Sequence, residues 1–99
     1  MYIVFCLFSE EGEIVVTYRK GGIGTAIGYA LAWQKLSGST LKKVRCLGQN
    51  LDYEKAREVF KLFSSDISEL DGRCIWEQGY ILDHRTDKKN RGVNYVKTH

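Results

Sequence analysis

The residues of this sequence best suited to chemistry lie toward its end. Arg85, Lys88, Lys89 and Arg91 are interleaved with Asn90 and Asn94 and run on to Tyr95 and Lys97. Closely spaced cations attract phosphate oxygens, and a nearby ring, Tyr95 or Tyr80, can stack on a base. Lys43 and Arg45 extend the patch if their strand lies alongside. Residues 84–99 hold five cations against Asp87, a net of +4, while residues 1–83 hold ten basic and eleven acidic side chains, a net of −1. The basic character therefore belongs to one end and not to the fold as a whole. A solvated loop that aids solubility is the plainer reading of the same residues.

A second candidate is Gly22-Ile23-Gly24-Thr25-Ala26-Ile27-Gly28, which follows a strand and opens a helix. Dinucleotide sites use such glycines to admit a pyrophosphate to a helix N-terminus. Here the third glycine comes one place late, no acid follows at the spacing that binds a ribose, and the flanking strands read as antiparallel. No lysine stands where a P-loop needs one. At most, Arg19, Lys20, Gly22 and Gly24 form a weak anion site. A strand-to-helix corner, with Gly28 permitting close helix packing, accounts for the same residues.

Other constellations fare worse. Asp83 and Arg85 point away from His84 on a continuing strand, so no acid–base pair forms. Glu10, Glu11 and Glu13 share a short turn without calcium-loop spacing. Cys6, Cys46 and Cys74 lie far apart in apolar settings with no Cys-x-x-Cys pair, as buried free thiols of a reducing, cytoplasmic compartment do. No metal, cofactor or catalytic residue is expected. The element order is similar to that of the GIY-YIG nucleases, but both namesake triplets are missing and Lys35 is the first helix's only basic residue. That similarity is one of topology and transfers no active site.

The elements that must position these residues follow from hydrophobic periodicity. Tyr2 to Phe8 is apolar throughout, as in a strand covered on both faces. Ser9 to Glu13 turns the chain into Ile14–Lys20, giving a hairpin. A helix spans Thr25 to Leu36, and Ser37 to Thr40 ends it. Leu41 to Leu47 is a third strand. Tyr53, Ala56, Phe60, Phe63, Ile67 and Leu70 are spaced 3, 4, 3, 4, 3, the stripe of a second helix with Asp52 or Asn50 as its cap. Phe60 and Phe63 are expected in the core. Cys74 to Leu82 is a fourth strand with a bulge at Gly79, and Val93 to Lys97 a short fifth.

The 99 residues, 43% of them apolar and 27% charged, suit one globular domain. No apolar run approaches the ~20 residues that cross a bilayer. The order ββαβαβ(β) predicts one α+β domain over 1–99, with a mainly antiparallel sheet, both helices on one face and a basic C-terminal loop or hairpin at 84–99. The uncovered face, apolar in its first strand, invites a partner. The expected function is a non-catalytic binding protein, a regulator or inhibitor that docks on another protein. The alternative is a nucleic-acid-binding module using residues 84–97. A homodimer is a further way to cover the sheet, and no membrane is involved.

Overall fold

The computed structural model describes residues 1–65, 72–77 and 80–82, together with the backbone of 95–97. Asp83, His84, Arg85, Lys88, Lys89, Arg91, His99, Ile67 and Leu70 lie outside the described residues. Two strands open the chain, β1 (Tyr2–Ser9) and β2 (Ile14–Lys20). The turn between them closes by Ser9 N–H to Glu13 O at 2.9 Å and Glu13 N–H to Ser9 Oγ at 2.9 Å. Gly12 there has φ 93°, a left-handed conformation that suits glycine.

Helix α1 (Ile23–Ser37) starts two residues earlier than its composition suggests. Gly22 is its N-cap, and the Gly22 N–H reaches Thr25 Oγ1 at 3.4 Å. Gly38, at φ 79°, ends it by donating its N–H to Gln34 O at 3.1 Å. Strand β3 (Leu41–Leu51) runs four residues past its expected end. Helix α2 (Tyr53–Ser65) is capped by Asp52, whose Oδ1 accepts the Lys55 N–H at 2.8 Å. Strands β4 (Arg73–Glu77), β5 (Tyr80–Leu82) and β6 (Tyr95–Lys97) complete the order.

The sheet runs β2-β1-β3-β4-β5-β6, and every neighbouring pair is antiparallel. With its two helices this is the α+β class that the sequence predicts. Two details differ. The expected strand Cys74–Leu82 is a hairpin, because Glu77 pairs with Tyr80 and Trp76 with Ile81. Gly79, where a bulge is expected, lies outside the described residues.

The second difference concerns the helices. They lie on opposite faces, not on one. Directly paired residues in an antiparallel ladder point to the same face. Phe5 pairs with Thr17 and Cys46, and its ring meets Tyr29 of α1 at 5.6 Å. Val4 pairs with Tyr18 and Gly48; Tyr18 meets Tyr53 and Phe60 of α2 at 6.3 and 5.1 Å. The reason is β1 itself. Ile3, Val4, Phe5, Cys6 and Leu7 are all 0% exposed, so each face of that strand needs its own cover.

The larger core sits under α1. Ile3, Phe5 and Leu7 of β1 meet Ile23, Ala26, Ile27 and Ala30 of the helix, with Val44, Ile75 and Trp76 alongside. Of the residues of α2 itself only Ala56 is buried. Phe60 and Phe63 are half-buried, so the stripe is real but its cover is thin. On α2, Lys55 and Glu58 form an exposed ion pair at 3.8 Å.

Gly28 does not serve close packing. It is exposed, and a Cβ there would meet nothing within 4 Å. Glycine inside a helix costs about 0.5–1 kcal/mol relative to alanine. Gly28→Ala is therefore expected to raise the melting temperature by about 4–8 °C per kcal/mol gained. Gly72→Ala should lower it, since a Cβ there would run into the Cys46 carbonyl. Calorimetry that finds Gly28→Ala destabilising rejects the placement of that residue.

Candidate functional site

Alternation along β3 and β4 places a row of side chains on the face that carries α2. Ile14 pairs with Phe8, Phe8 with Lys43, Lys43 with Glu77 and Glu77 with Tyr80. Lys97 of β6 holds the register position opposite Tyr80, and Tyr95 the position opposite Leu82. Of the basic patch expected from sequence, the sheet thus aligns Lys43, Tyr80 and Lys97. The row is not purely basic. Glu77 stands within it, and Lys43 Nζ already lies 5.0 Å from the Phe8 ring centre. Arg45 is one step along β3 on the same face, half-buried, and its Nη1 donates to Gly72 O at 2.6 Å. That guanidinium secures the start of β4.

The glycine corner assembles differently from an anion cradle. Lys20 is exposed at the end of β2, and Gly22 and Gly24 open α1. Arg19 is turned along the helix, with its guanidinium carbon 4.5 Å from the Tyr29 ring centre and Nη1 on Tyr18 O at 2.9 Å. The acidic turn is structural. Glu10 N–H donates to Thr40 O at 2.8 Å, and Glu11 Oε1 accepts the Thr40 N–H at 3.1 Å. Ser39 Oγ donates to Glu13 Oε1. These bonds tie the β1–β2 turn to the loop that enters β3. Among the described residues, no group of three or more His, Cys, Asp or Glu could hold a metal ion, and no helix is long and apolar enough to cross a membrane.

A site that the motifs did not signal lies where α2 crosses the sheet. Tyr2 of β1, Tyr18 of β2 and Tyr53 and Phe60 of α2 form one ring cluster. The Tyr2–Tyr53 centroids are 5.5 Å apart, and Tyr2–Tyr18 6.3 Å. No ring of the four is fully buried, and Tyr53 is 46% exposed. Arg57 lies 5.8 Å from the Tyr53 ring. A hydrogen bond to Tyr53 pushes the Tyr18 hydroxyl above its ordinary value. Sequence periodicity placed Tyr53 on the helical stripe and Phe60 in the core. It could have flagged them, because tyrosine combines an apolar ring with a polar tip and tolerates a half-wet setting. A separate groove of about 290 Å³ lies on α1, lined by Tyr29, Ala32, Trp33, Leu36 and Ser37.

None of the three cysteines is in a disulfide: Cys6 and Cys46 are buried and Cys74 is half-buried. Burial pushes Cys6 up to about 12 from 9.0, against smaller opposing effects of its backbone bond to Arg45 and that residue's charge. Burial also raises Cys46 and Cys74. Above pH 9 the unfolded chain releases the Cys6 proton while the folded chain keeps it. Stability is therefore expected to be full below that value and to fall as pH rises toward 12. Urea melts across this range should show the fall, and Cys6→Val should make it shallower. Equal slopes for the two proteins would show that Cys6 is not held neutral. Labelling in denaturant without reductant should find three free thiols.

Compared with family models, with curated proteins and with solved structures, the chain matches none.

Proposed function

We propose that this chain is a small regulator or inhibitor that acts by docking on a protein partner through the ring cluster at β2 and α2. One observation carries the reading. Tyr2, Tyr18, Tyr53 and Phe60 gather at an outer strand, and none of their rings is fully buried. A fold that hides every side chain of β1 from Ile3 to Leu7 leaves this aromatic surface at the solvent. Tyrosine and arginine are the residues most enriched where binding energy concentrates, and Arg57 sits beside Tyr53. Their rings offer large contact area at low entropic cost. The three free thiols fit a reducing, cytoplasmic setting.

A second reading has its own support. Lys43, Tyr80 and Lys97 hold register positions in one row across the sheet. Aromatic and basic residues on an open sheet face are the means by which several modules hold single-stranded nucleic acid. Lys43→Ala and Lys97→Ala together should then flatten the log–log salt dependence of binding by roughly 0.7 per lost contact on single strands. Wild-type protein that binds no DNA or RNA at low salt, by fluorescence anisotropy, removes this reading.

The docking reading is tested with Tyr53→Ala. The side chain is nearly half exposed, so its loss should cost the fold little. A binding partner captured from nuclease-treated host extract by wild-type protein should bind the variant at least tenfold more weakly, as expected of a residue worth ~1.4 kcal/mol or more. Equal binding of both proteins excludes the cluster.

A further inference from the structure

We propose that two copies of this chain pair antiparallel along β2, about a two-fold axis at Thr17, and join their sheets into one. This inference concerns the backbone edge of β2 and does not rest on the docking reading, although Tyr18 belongs to both surfaces. Among the described residues β2 ends the sheet and pairs only with β1. Its ladder to β1 is unbroken from Tyr2–Lys20 to Phe8–Ile14. At one end Ser9 N–H bonds Glu13 O at 2.9 Å, and at the other Gly21 N–H bonds Met1 O at 2.8 Å. Hydrogen-bonded pairs recur at every second position, so Val15, Thr17 and Arg19 spend their backbone groups on β1. Ile14, Val16, Tyr18 and Lys20 turn theirs outward. The Tyr18 carbonyl shows the direction, since it accepts Arg19 Nη1 at 2.9 Å. An arriving strand would replace that bond with a backbone donor.

Proteins commonly protect such an edge with proline, a bulge or a central charge. The chain has no proline, and the middle of β2, Val15-Val16-Thr17-Tyr18, carries no charge. The strand is also self-complementary. With the axis at Thr17, the midpoint of Ile14–Lys20, all four outward-facing residues find partners. Tyr18 falls opposite Val16 of the second copy, an aromatic to β-branched pair of the favourable kind. Thr17 meets Thr17, Arg19 meets Val15 and Lys20 meets Ile14, so no like charges oppose. Charge then selects the occupant. The strand begins at the acidic turn of Glu10, Glu11 and Glu13 and ends in Arg19 and Lys20. Antiparallel pairing brings each basic end beside the other copy's acidic turn, twice by symmetry. Bonds to Ser39 and Thr40 already hold Glu13 and Glu11 in place.

Sedimentation equilibrium should give twice the 11.4 kDa chain mass for wild-type protein. Thr17→Lys sets two ammonium groups against each other at the axis and should sediment as a monomer, with its circular dichroism unchanged. A second variant guards against misfolding. Thr17 opposite Thr17 is a non-hydrogen-bonded pair, with Cα atoms about 4.5 Å apart, within the disulfide range. Thr17→Cys should therefore form a covalent dimer on mild oxidation, while wild-type protein, with no cysteine on β2, should not. Val15→Cys and Arg19→Cys should cross-link when mixed. A wild-type monomer at the highest soluble concentration would overturn the proposal, as would a dimer in which Thr17→Cys fails to cross-link.

Discussion

Burial of β1 on both faces is the constraint from which the rest of this structure follows. Five consecutive side chains, Ile3 to Leu7, have no exposure at all. Fully burying a large apolar side chain is worth about 1.5–3 kcal/mol, so no other segment contributes as much per residue. A strand with that composition cannot lie at an edge, and it cannot be served by a single layer of helix. It takes β2 and β3 as neighbours, α1 above Ile3, Phe5 and Leu7, and α2 across Val4. The hairpin, the crossover through α1 and the later strands are arranged around it.

The two covers are unequal, and that inequality decides where the molecule meets its surroundings. α1 buries Ile23, Ala26, Ile27 and Ala30 and closes its side of the sheet with Trp76 and Val44. α2 buries Ala56 and spans β2, β1 and β3 at the end near Tyr2. Its rings remain half-wet. The opposite end of the same face carries Phe8, Lys43, Glu77 and Tyr80 in a row outside that contact. Both candidate surfaces thus share one face, and for one reason: the second helix is short and crosses only part of the sheet.

Much of this was legible in the residues. An unbroken apolar run from Tyr2 to Phe8 reports a central strand, and the 3, 4, 3 spacing of Tyr53, Ala56, Phe60 and Phe63 reports the sheet-facing side of α2. The placement of the helices was not read correctly, since a strand apolar on both faces demands cover on each but does not say whether a helix or a partner supplies it. Simple layer preference argued for one face. Other features were hidden for physical reasons. The run Cys74 to Leu82 reads equally well as one strand or as two, and only the Glu77–Tyr80 pairing decides. Arg45 reads as a free cation until its bond to Gly72 is seen. The ring cluster joins residues 2, 18, 53 and 60, and no linear motif records a contact of that separation.

The strand at the centre of the fold is also synthesised before both helices that cover it. β1 precedes α1 by about a helix length of chain and α2 by twice that or more. Its α1-facing side can be covered once Ser37 has left the ribosome, but Val4 must wait for α2. Until then the segment Tyr2 to Phe8 presents a flat, uncharged, strongly β-forming surface with no proline to interrupt it. Elongation adds about 5–20 residues each second. The exposed interval therefore lasts seconds, long enough for a chaperone or a neighbouring nascent chain to reach it. With no prolyl isomerisation to wait for, the interval is set by translation and not by the closing of the sheet.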